Sequence, residues 1–361
     1  MICEYVFSQM RICSQVPMRV TQQDIARLAQ VSQATVSRVL SGDNRVETDI
    51  KDRVLAVMRE TNYQPDVRAR SLRSRRTGLI GLVVKRPSGG LNDDPFFANL
   101  ISHIMDYLIG RPFHLCVEMV ATQSSQEAVY DEMLRTRRVD GLILVESEAR
   151  DERIHRLQMD RFPFVLIGNP LQSDVSHEDT IWSVDNDNML AGQIATEHLV
   201  QNGYKRIGFL GGPIGITVSE DRLIGYQRTS RGSGAPEIIF HSDFGFTPAK
   251  ESALKILAAE DRPDALVVLD DFMAMGVVRA ARELGLSIPR DLGVVSFNDS
   301  SICDLMEHGL TSVSLNIPQI VRSACGRLLK IIEEKPIYGD RRIIVPCELH
   351  VRGSSRREED L

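Results

Sequence analysis

The sequence lacks the patterns that mark several common kinds of site. Its six cysteines have neither paired nor metal-type spacing, and its eight histidines form no His-x-x-His or His-Glu-x-x-His pattern. These patterns favour buried or idle thiols over a disulfide framework, and they predict no metal site and no cofactor. No apolar run is long enough, at about 18 residues, to predict a membrane span.

Motifs for nucleotide-dependent chemistry are also missing. The glycines of residues 208–212 follow a candidate strand, but they do not form Gly-x-Gly-x-x-Gly, and no Gly-x-x-x-x-Gly-Lys-Ser/Thr is present. No Ser/His/Asp or Cys/His arrangement can be argued from the spacing. The sequence therefore predicts that the chain is not an enzyme and has no catalytic residues.

Charge divides the 361 residues into two regions, within a net charge of −6. Residues 19–76 hold 12 basic and 7 acidic residues, a net charge of +5, whereas residues 77–361 hold 30 and 41, a net charge of −11. A basic head on an acidic body fits a head that meets phosphate and a body that does not. The hydrophobic fraction of 43% supports a sizeable core and two or three domains.

Residues 20–40 predict two short helices joined by a tight turn. Thr21 with Asp24 resembles a capping box, and Ser32 is a good N-cap for the second helix. Apolar residues share one face of each helix and fill the turn, namely Ile25, Leu28, Ala29, Val31, Val36, Val39 and Leu40. The outward face of the second helix carries Gln33, Ala34, Ser37 and Arg38, which suit base edges in a major groove. This form is typical of a helix-turn-helix DNA reader; the alternative is an ordinary helical hairpin with a solvated polar face.

The segment that follows supports DNA binding. Residues 50–58 predict a third amphipathic helix that closes a three-helix core. Pro65 stops the preceding helix and can begin a new one, which is short, basic and carries one leucine, Leu72. A lone leucine in a basic helix suits insertion into a minor groove.

These motifs resemble the LacI/GalR family of transcriptional regulators over residues 19–356, most specifically in Val31-Ser32-x-x-Thr35-Val36-Ser37-Arg38-Val39-Leu40 and in Tyr63-x-Pro65 through Leu72. The resemblance implies that Gln33, Ala34 and Arg38 read bases, and that Leu72 with Ala69 forms a minor-groove lever. It also implies phosphate-contacting or supporting roles for Thr21, Ser32, Thr35, Ser37 and Tyr63. Gln30 stands where the family often has glycine, and a left-handed backbone there costs glutamine more than glycine. The implied partners are a second copy of the chain and a pseudo-palindromic double-stranded operator, in the cytoplasm.

From residue 79 onwards, buried apolar runs alternate with helical patterns. Strands are predicted at 79–84, 114–119, 141–145, 164–167, 181–184, 206–210, 265–269 and 293–297. The alternation predicts doubly wound parallel sheets, and the span is too long for one sheet. The predicted fold class is an all-α helix-turn-helix head and an α/β body of two such lobes. The resemblance implies that this body is periplasmic-binding-protein-like, with three crossings between lobes.

The predicted domain organisation follows from these segments. Residues 1–18 are interpreted as a disordered extension or as the product of a start codon upstream of Met18, and they lack the long apolar stretch of a signal peptide. Residues 19–64 form the DNA-binding head and residues 65–77 the hinge. Residues 78–361 form the effector-binding and dimerisation domain, with an N-lobe of about 78–183 and 315–343 and a C-lobe of about 184–314 and 344–361.

Ligand residues are expected at the carboxyl ends of the parallel strands, where the family motifs fall. A polyol needs paired hydrogen-bond donors and acceptors together with an aromatic surface. The candidates are Phe96, Phe97, Asn169, Asp185, Asp187, Arg222, Phe244, Asp270 and Asn298. The alternative role for an aspartate at such a position is a helix N-cap, which Asp270, Asp271 and Asp299 could fill.

Three motifs resemble the maltose-operon repressor subgroup: Ser296-Phe297-Asn298-Asp299, residues 164–170, and residues 184–188. The resemblance implies a repressor of a carbohydrate-utilisation operon that maltose or a malto-oligosaccharide controls. Two alternatives stay open. One is an extracytoplasmic sugar-binding protein, which would share the body but not residues 19–76. The other is an activator or a regulator that answers to a different ligand.

Overall fold

A computed structural model describes residues 20–40, 43, 45–63, 76–85, 94–148, 151–169 and 181–357. The chain divides into two compact units, Met1–Arg76 and Thr77–Leu361. The predicted extension at residues 1–18 lies outside the described residues, as does most of the predicted hinge, including Ala69 and Leu72.

The described residues of the first unit form three helices: α1 (Gln22–Leu28), α2 (Gln33–Leu40) and α3 (Thr48–Glu60). The capping box at α1 is confirmed, because the Asp24 amide donates to the Thr21 hydroxyl at 3.3 Å while the Thr21 amide donates to the Asp24 carboxylate at 3.0 Å. At α2, the Thr35 amide donates to the Ser32 hydroxyl at 3.1 Å. Both helices therefore begin where side chains satisfy amides that lack a partner within the helix.

A small apolar core joins the three helices. Its buried members are Ile25, Ala26, Ala29, Val36, Val39 and Val54, with Val31 packed beside them in the turn. The prediction that Leu28 shares this face was wrong, since its side chain is 53% exposed. The buried stripe of α1 runs through Ile25, Ala26 and Ala29, which turns Leu28 towards solvent. Gln30 has the expected left-handed backbone, with φ at 56°.

In the second unit, the described strands form two six-stranded sheets, each the centre of one lobe. The N-lobe sheet has the order β11-β5-β4-β3-β1-β2 and is parallel throughout. Its strands are β1 (Leu79–Lys85), β2 (His114–Val120), β3 (Gly141–Val145), β4 (Phe164–Ile167), β5 (Ser183–Asn186) and β11 (Arg342–Val345). Its helices are α4 (Pro95–Leu108), α5 (Gln123–Thr136), α6 (Glu152–Met159) and α12 (Ile317–Ile332).

The C-lobe sheet has the order β12-β10-β9-β8-β6-β7, and β12 runs antiparallel to β10. Its strands are β6 (Ile207–Gly211), β7 (Ile238–His241), β8 (Ala265–Val268), β9 (Gly293–Phe297), β10 (Thr311–Ser314) and β12 (Glu348–His350). Its helices are α7 (Asn188–Gln201), α8 (Thr217–Ser233), α9 (Phe246–Leu257), α10 (Asp271–Glu283) and α11 (Ile302–Leu305). The predicted doubly wound, two-lobed fold is confirmed.

Two predicted lobe boundaries need correction. The limits at residues 183 and 343 cut through β5 and β11, yet both strands lie wholly in the N-lobe sheet, paired to each other in parallel. The chain leaves the N-lobe only after Asn186 and again after Val345. The predicted strand at 181–184 is shifted for the same reason. Asp185 and Asn186 are polar but buried within β5, so an apolar pattern does not extend over them.

Asn186 connects the three places where the chain crosses between lobes. It ends β5 and is buried. Its side-chain amide donates to the Leu315 carbonyl at 3.0 Å and to the Val345 carbonyl at 2.8 Å. Leu315 lies between β10 and α12, and Val345 ends β11. One side chain therefore ties the first crossing to the other two.

Helices α7 and α8 pack with their backbones in contact, because each contributes a glycine. A Cβ atom on Gly192 would lie 2.1 Å from the Arg222 carbonyl oxygen, and one on Gly225 would lie 2.0 Å from the Met189 carbonyl oxygen. Only glycine permits this approach. The contact brings the start of α7, with Asn188, close to Arg222 on α8.

Candidate functional site

The exposed surface of α2 carries the residues predicted to read DNA. Gln33, Ala34 and Arg38 are exposed on this helix. The prediction that Ser37 belongs to the outward face was wrong, because its side chain is only 8% exposed. It lies on the buried side of the helix with Val36 and Val39. Its position suits a supporting role.

The other predicted DNA contacts surround this helix. Thr21 and Ser32 are exposed, and Thr35 and Tyr63 are half-buried. The hydroxyls of Ser32 and Thr35 lie 2.8 Å apart at the start of α2. A helix N-terminus presents backbone amides and partial positive charge, which suits a phosphate oxygen.

A cleft between the two lobes of the body contains most of the predicted ligand residues. Its empty space is about 750 Å³, including the part open to solvent. Seven of the nine candidates line it, namely Phe96, Asn169, Asp185, Arg222, Phe244, Asp270 and Asn298. Most of them lie at or just beyond strand ends, as parallel sheets predict.

Two candidates do not line this cleft. Phe97 is 1% exposed and packs in the N-lobe core, with its ring 5.4 Å from that of Phe96 in an edge-on arrangement. Neighbouring residues on a helix point about 100° apart, so only one of the two phenylalanines can face the cleft. Asp187 is exposed and caps α7, accepting the Leu190 amide at 2.9 Å. For Asp187 the capping role, which was the alternative, is the one observed.

Arg222 is the one cationic side chain among the described residues that line the cleft, and it is 4% exposed. Its Nε donates to Asn188 Oδ1 at 3.1 Å, and its Nη1 donates to the Leu269 carbonyl at 2.8 Å. The guanidinium carbon lies 4.3 Å from the centre of the Phe297 ring. Burial lowers the pKa of Arg222 to about 10, so the side chain keeps its charge at neutral pH.

Two carboxyls share the cleft with Arg222: that of Asp185 is buried and that of Asp270 is half-buried. Asp185 Oδ1 accepts the Asn186 amide at 2.8 Å and Asn188 Nδ2 at 3.0 Å. Asp270 caps α10, accepting the Met273 amide at 2.7 Å, while it also lines the cleft. Burial raises the pKa of Asp185 to about 6 and that of Asp270 to about 7. A ligand that donates hydrogen bonds to either group would favour its ionised form.

Known proteins resemble the chain in both units. Residues 21–66 match the sequence model of bacterial regulatory proteins of the lacI family, and residues 196–355 match that of a periplasmic binding protein-like domain. The transcriptional regulator MalR of Streptococcus pneumoniae is 30% identical over 287 residues, which cover 78% of this chain and 84% of MalR. The chain belongs to the LacI family. As a member of that family it is a DNA-binding transcriptional regulator, and the relatives it matches are regulators, not enzymes.

Two further relatives differ in the sugars that their names carry. The ribose operon repressor of Halalkalibacterium halodurans is 29% identical over 340 residues, which cover 94% of this chain and 98% of the repressor. The solved complex of the transcriptional regulator CelR with cellobiose is 26% identical, with a TM-score of 0.70 and coverage of 93% of this chain and 100% of CelR. Family membership therefore leaves the effector of this chain open.

A buried carboxylate behind the cleft was not among the predicted residues. Asp271 accepts hydrogen bonds from the hydroxyls of Ser296 at 2.6 Å and Ser312 at 2.7 Å, and from the Ser300 amide at 2.7 Å. These bonds hold the loop that follows β9, where Asn298 has a left-handed φ of 99°. The signal was present, because Asp271 stands beside Asp270 in the sequence.

Six more polar residues that line the cleft were not predicted: Asp94, Glu146, Ser147, Asn186, Asn188 and Thr217. Asn188 positions both Arg222 and Asp185 through its side-chain amide. The motif at residues 184–188 contains Asn188, so the sequence did point to this region. The prediction took only the two acids of the motif, Asp185 and Asp187, as ligand residues.

The two lobes are hydrogen-bonded to each other along one side of the cleft. The hydroxyls of Ser147, after β3, and Thr217, at the start of α8, lie 3.0 Å apart, and the Thr217 amide donates to the Ser147 carbonyl at 3.2 Å. Asn169 Nδ2 donates to Asp221 Oδ2 at 3.1 Å. Burial raises the pKa of Asp221.

Two absences concern only the part of the chain that the structure describes. No helix there is both long and apolar enough to cross a membrane. No group of three or more His, Cys, Asp or Glu side chains there is placed to hold a metal ion.

Proposed function

We propose that the protein represses a carbohydrate-utilisation operon and that a small sugar bound between its lobes controls the repression. The observation that carries this proposal is the cleft, where Arg222, Asp185 and Asp270 offer polar groups beside the aromatic surfaces of Phe96 and Phe244. Such a mixture of converging polar groups and aromatic surface suits a polyol.

Maltose or a malto-oligosaccharide is the favoured effector. The resemblance of residues 164–170, 184–188 and 296–299 to the maltose-operon subgroup supports it, as does the 30% identity to MalR. Cellobiose is the second candidate, because the CelR–cellobiose complex matches 93% of the chain. Both are disaccharides of glucose, and they differ in the linkage between the rings.

On the DNA side, Gln33, Ala34 and Arg38 would contact base edges in the major groove. Phosphate contacts, or support of helix α2, would come from Thr21, Ser32, Thr35 and Tyr63. Ser37 would pack behind this helix. The partner is a pseudo-palindromic operator bound by a homodimer, because two-fold symmetry in the protein is matched by symmetry in the DNA. This work takes place in the cytoplasm, where the DNA is.

Coupling between the sites would pass through the hinge at residues 65–77. Effector binding would change the relative position of the lobes, and hence the spacing of the two hinges in a dimer. Separated hinges could not place Leu72 and Ala69 in one minor groove. A coupling free energy of about 1–3 kcal/mol is sufficient for regulation of this kind.

The alternatives differ in support. An extracytoplasmic sugar-binding protein would not need the segment at residues 21–66, which matches the lacI-family model. An activator, or a regulator with another ligand, uses the same head and cleft and is separated only by experiment.

The test is a fluorescence-anisotropy titration of the full chain on a pseudo-palindrome from its own promoter region, at fixed salt. Maltose, maltotriose, cellobiose, ribose, glucose and galactose are added separately, and a scrambled duplex of equal length is the control. We expect specific binding that a malto-sugar weakens. Release by cellobiose alone would replace the favoured effector. Affinity equal to that for scrambled DNA would contradict the proposed function.

A further inference from the structure

The two lobes also meet away from the three chain crossings. There the segment after β3 runs antiparallel to the segment before α8, with Glu148 of the N-lobe opposite Ile216 of the C-lobe. The Thr217 amide donates to the Ser147 carbonyl at 3.2 Å. The side chains of both residues are buried, Ser147 at 1% and Thr217 at 2% exposed. Because no chain crossing lies here, hydrogen bonds and packing must hold the lobes together at this point.

The hydroxyls of this contact form a chain with a fixed direction. Ser147 Oγ donates to the backbone carbonyl of Asn169 at 2.8 Å, which uses its single hydroxyl hydrogen. The Thr217 hydroxyl, 3.0 Å from Ser147 Oγ, must therefore be the donor in their hydrogen bond. The chain thus begins in the C-lobe at Thr217 and ends in the N-lobe at Asn169.

A second bond holds Asn169 from the other side. Its Nδ2 donates to Asp221 Oδ2 at 3.1 Å, and both side chains are buried. Asp221 precedes Arg222 on α8, so one helix carries both this carboxyl and the cation of the cleft. Asn169 and Arg222 line the cleft from different lobes. We name the contacts among Ser147, Asn169, Thr217 and Asp221 the interlobe clasp.

Every partner in the interlobe clasp is a protein group. Separation of the lobes there would leave buried donors and acceptors without partners, and each such loss is unfavourable until water replaces it. We propose that Ser147, Thr217 and Asp221 are positioning residues, which hold the lobes together without a ligand and so set the separation of Asn169 and Arg222 in advance. A ligand that enters such a preformed site has less ordering to impose.

The amide of Thr217 gives a direct measure of the clasp. Thr217 is the first residue of α8, and an amide at that position has no acceptor within its own helix. Its exchange with solvent therefore reports its bond to the Ser147 carbonyl. Hydrogen exchange of the full chain, resolved to single amides, measures this without DNA or sugar. We expect the Thr217 amide to be protected, and exchange as fast as in an unfolded peptide would overturn the proposal.

A matched set of variants tests the hydroxyl chain. Thr217→Val keeps the shape of the side chain and removes its donor, so exchange of the residue 217 amide should become roughly tenfold faster, as expected for the loss of one buried hydrogen bond. Thr217→Ser restores the hydroxyl and should restore the protection. Thr229→Val, the control, removes a hydroxyl of the same helix that has no partner among the described residues. Unchanged protection in Thr217→Val would overturn the role of the chain, as would equal loss in Thr217→Ser.

Cross-linking tests whether the clasp depends on a ligand. The two hydroxyl oxygens lie 3.0 Å apart, so Ser147→Cys combined with Thr217→Cys places two sulfurs where a short movement brings them to bonding distance. We expect oxidation to link residues 147 and 217 to the same extent with and without maltose, as peptide mass mapping would show. Each single cysteine variant is the control for pairing with native cysteines. A link that forms only with maltose, or no link at all, would overturn the proposal. Since neither measurement uses DNA, the proposed function can fail without affecting them.

Discussion

The head and the body place their most informative arginines in opposite environments. Arg38 is exposed on a three-helix unit whose core has six buried apolar residues. Arg222 is 4% exposed and lies among groups that hold its guanidinium in place. The recognition proposed for the head is separate from the packing that stabilises it, whereas the recognition proposed for the body uses groups that are also part of the buried structure. Substitutions should separate binding from stability in the head but not in the body.

The largest effect should come from the small core of the head. Ile25→Ala removes a fully buried side chain, and we expect a loss of about 2–5 kcal/mol in the free energy of unfolding of the head. Few other contacts are present to compensate in so small a unit. Hydrogen exchange of the α1–α3 amides measures it. Leu28→Ala, at an exposed position of the same helix, should change stability by no more than about 0.5 kcal/mol.

Arg222→Ala should lower the stability of the body and also remove its response to sugar. It leaves Asn188 Oδ1 and the Leu269 carbonyl without their donor, at a cost of about 2–4 kcal/mol for two buried acceptors. Sugar should also no longer change operator affinity. Thermal unfolding and anisotropy measure the two effects. Arg231→Ala, which breaks an exposed pair with Glu237, is the control and should change stability little, because solvent screens an exposed ion pair. If the Arg222→Ala body were stable and still responded to sugar, binding and stability in the body would not depend on the same side chain.

Arg38→Ala should affect binding alone. We expect specific operator affinity to fall by about 1–3 kcal/mol while the unfolding of the head changes little. Anisotropy on operator and scrambled duplexes measures this. Equal weakening on both duplexes would assign Arg38 to phosphate instead of base contact.

The pH dependence should also distinguish the two units. In the body, the folded state raises the pKa of Asp185 to about 6 and that of Asp270 to about 7. The folded body therefore binds more protons than the unfolded chain between about pH 4 and pH 7, and its stability should fall as pH rises through that window.

The carboxyl groups of the head shift in the other direction. Hydrogen bonds from Thr21 lower the pKa of Asp24, and those from Arg45 lower that of Asp43 to about 2. Their contribution is complete above the ordinary pKa and is lost only as pH falls towards 2, so the head should be insensitive between pH 5 and pH 8. Melting of each unit at pH 5 and pH 8 measures the difference. Asp270→Asn, which keeps a good N-cap, should reduce the slope of the body.

The apolar runs of the sequence were sufficient to predict the central strands, including β3, β4 and β9 at their observed bounds. They did not predict β10, because Thr311 and Ser312 are polar. Both are buried, and distant partners satisfy their hydroxyls: Ser312 donates to Asp271, and Thr311 donates to the Arg352 carbonyl. A local pattern contains no information about partners 41 residues away in sequence.

The cleft shows a similar division. Strand ends indicated where ligand residues would lie, and seven of the nine candidates line the cleft. The sequence could not choose between Phe96 and Phe97, since that depends on how α4 is rotated against the N-lobe core. It also could not show that Asp187 only caps α7, whereas Asp270 both caps α10 and lines the cleft. Position along a strand is local, but the direction of a side chain is set by packing.

Asn186 has a consequence for how information moves through the body. Because its amide donates to the Leu315 and Val345 carbonyls, bending one crossing without the others would break a buried hydrogen bond. The three crossings would then move together, and few rigid-body motions of one lobe against the other would be available. Sugars of different size and shape would then produce the same relative movement of the lobes and would differ only in the fraction of molecules that adopt the moved conformation. Under the proposed control by sugar, such a body would report that its cleft is occupied and not which sugar occupies it.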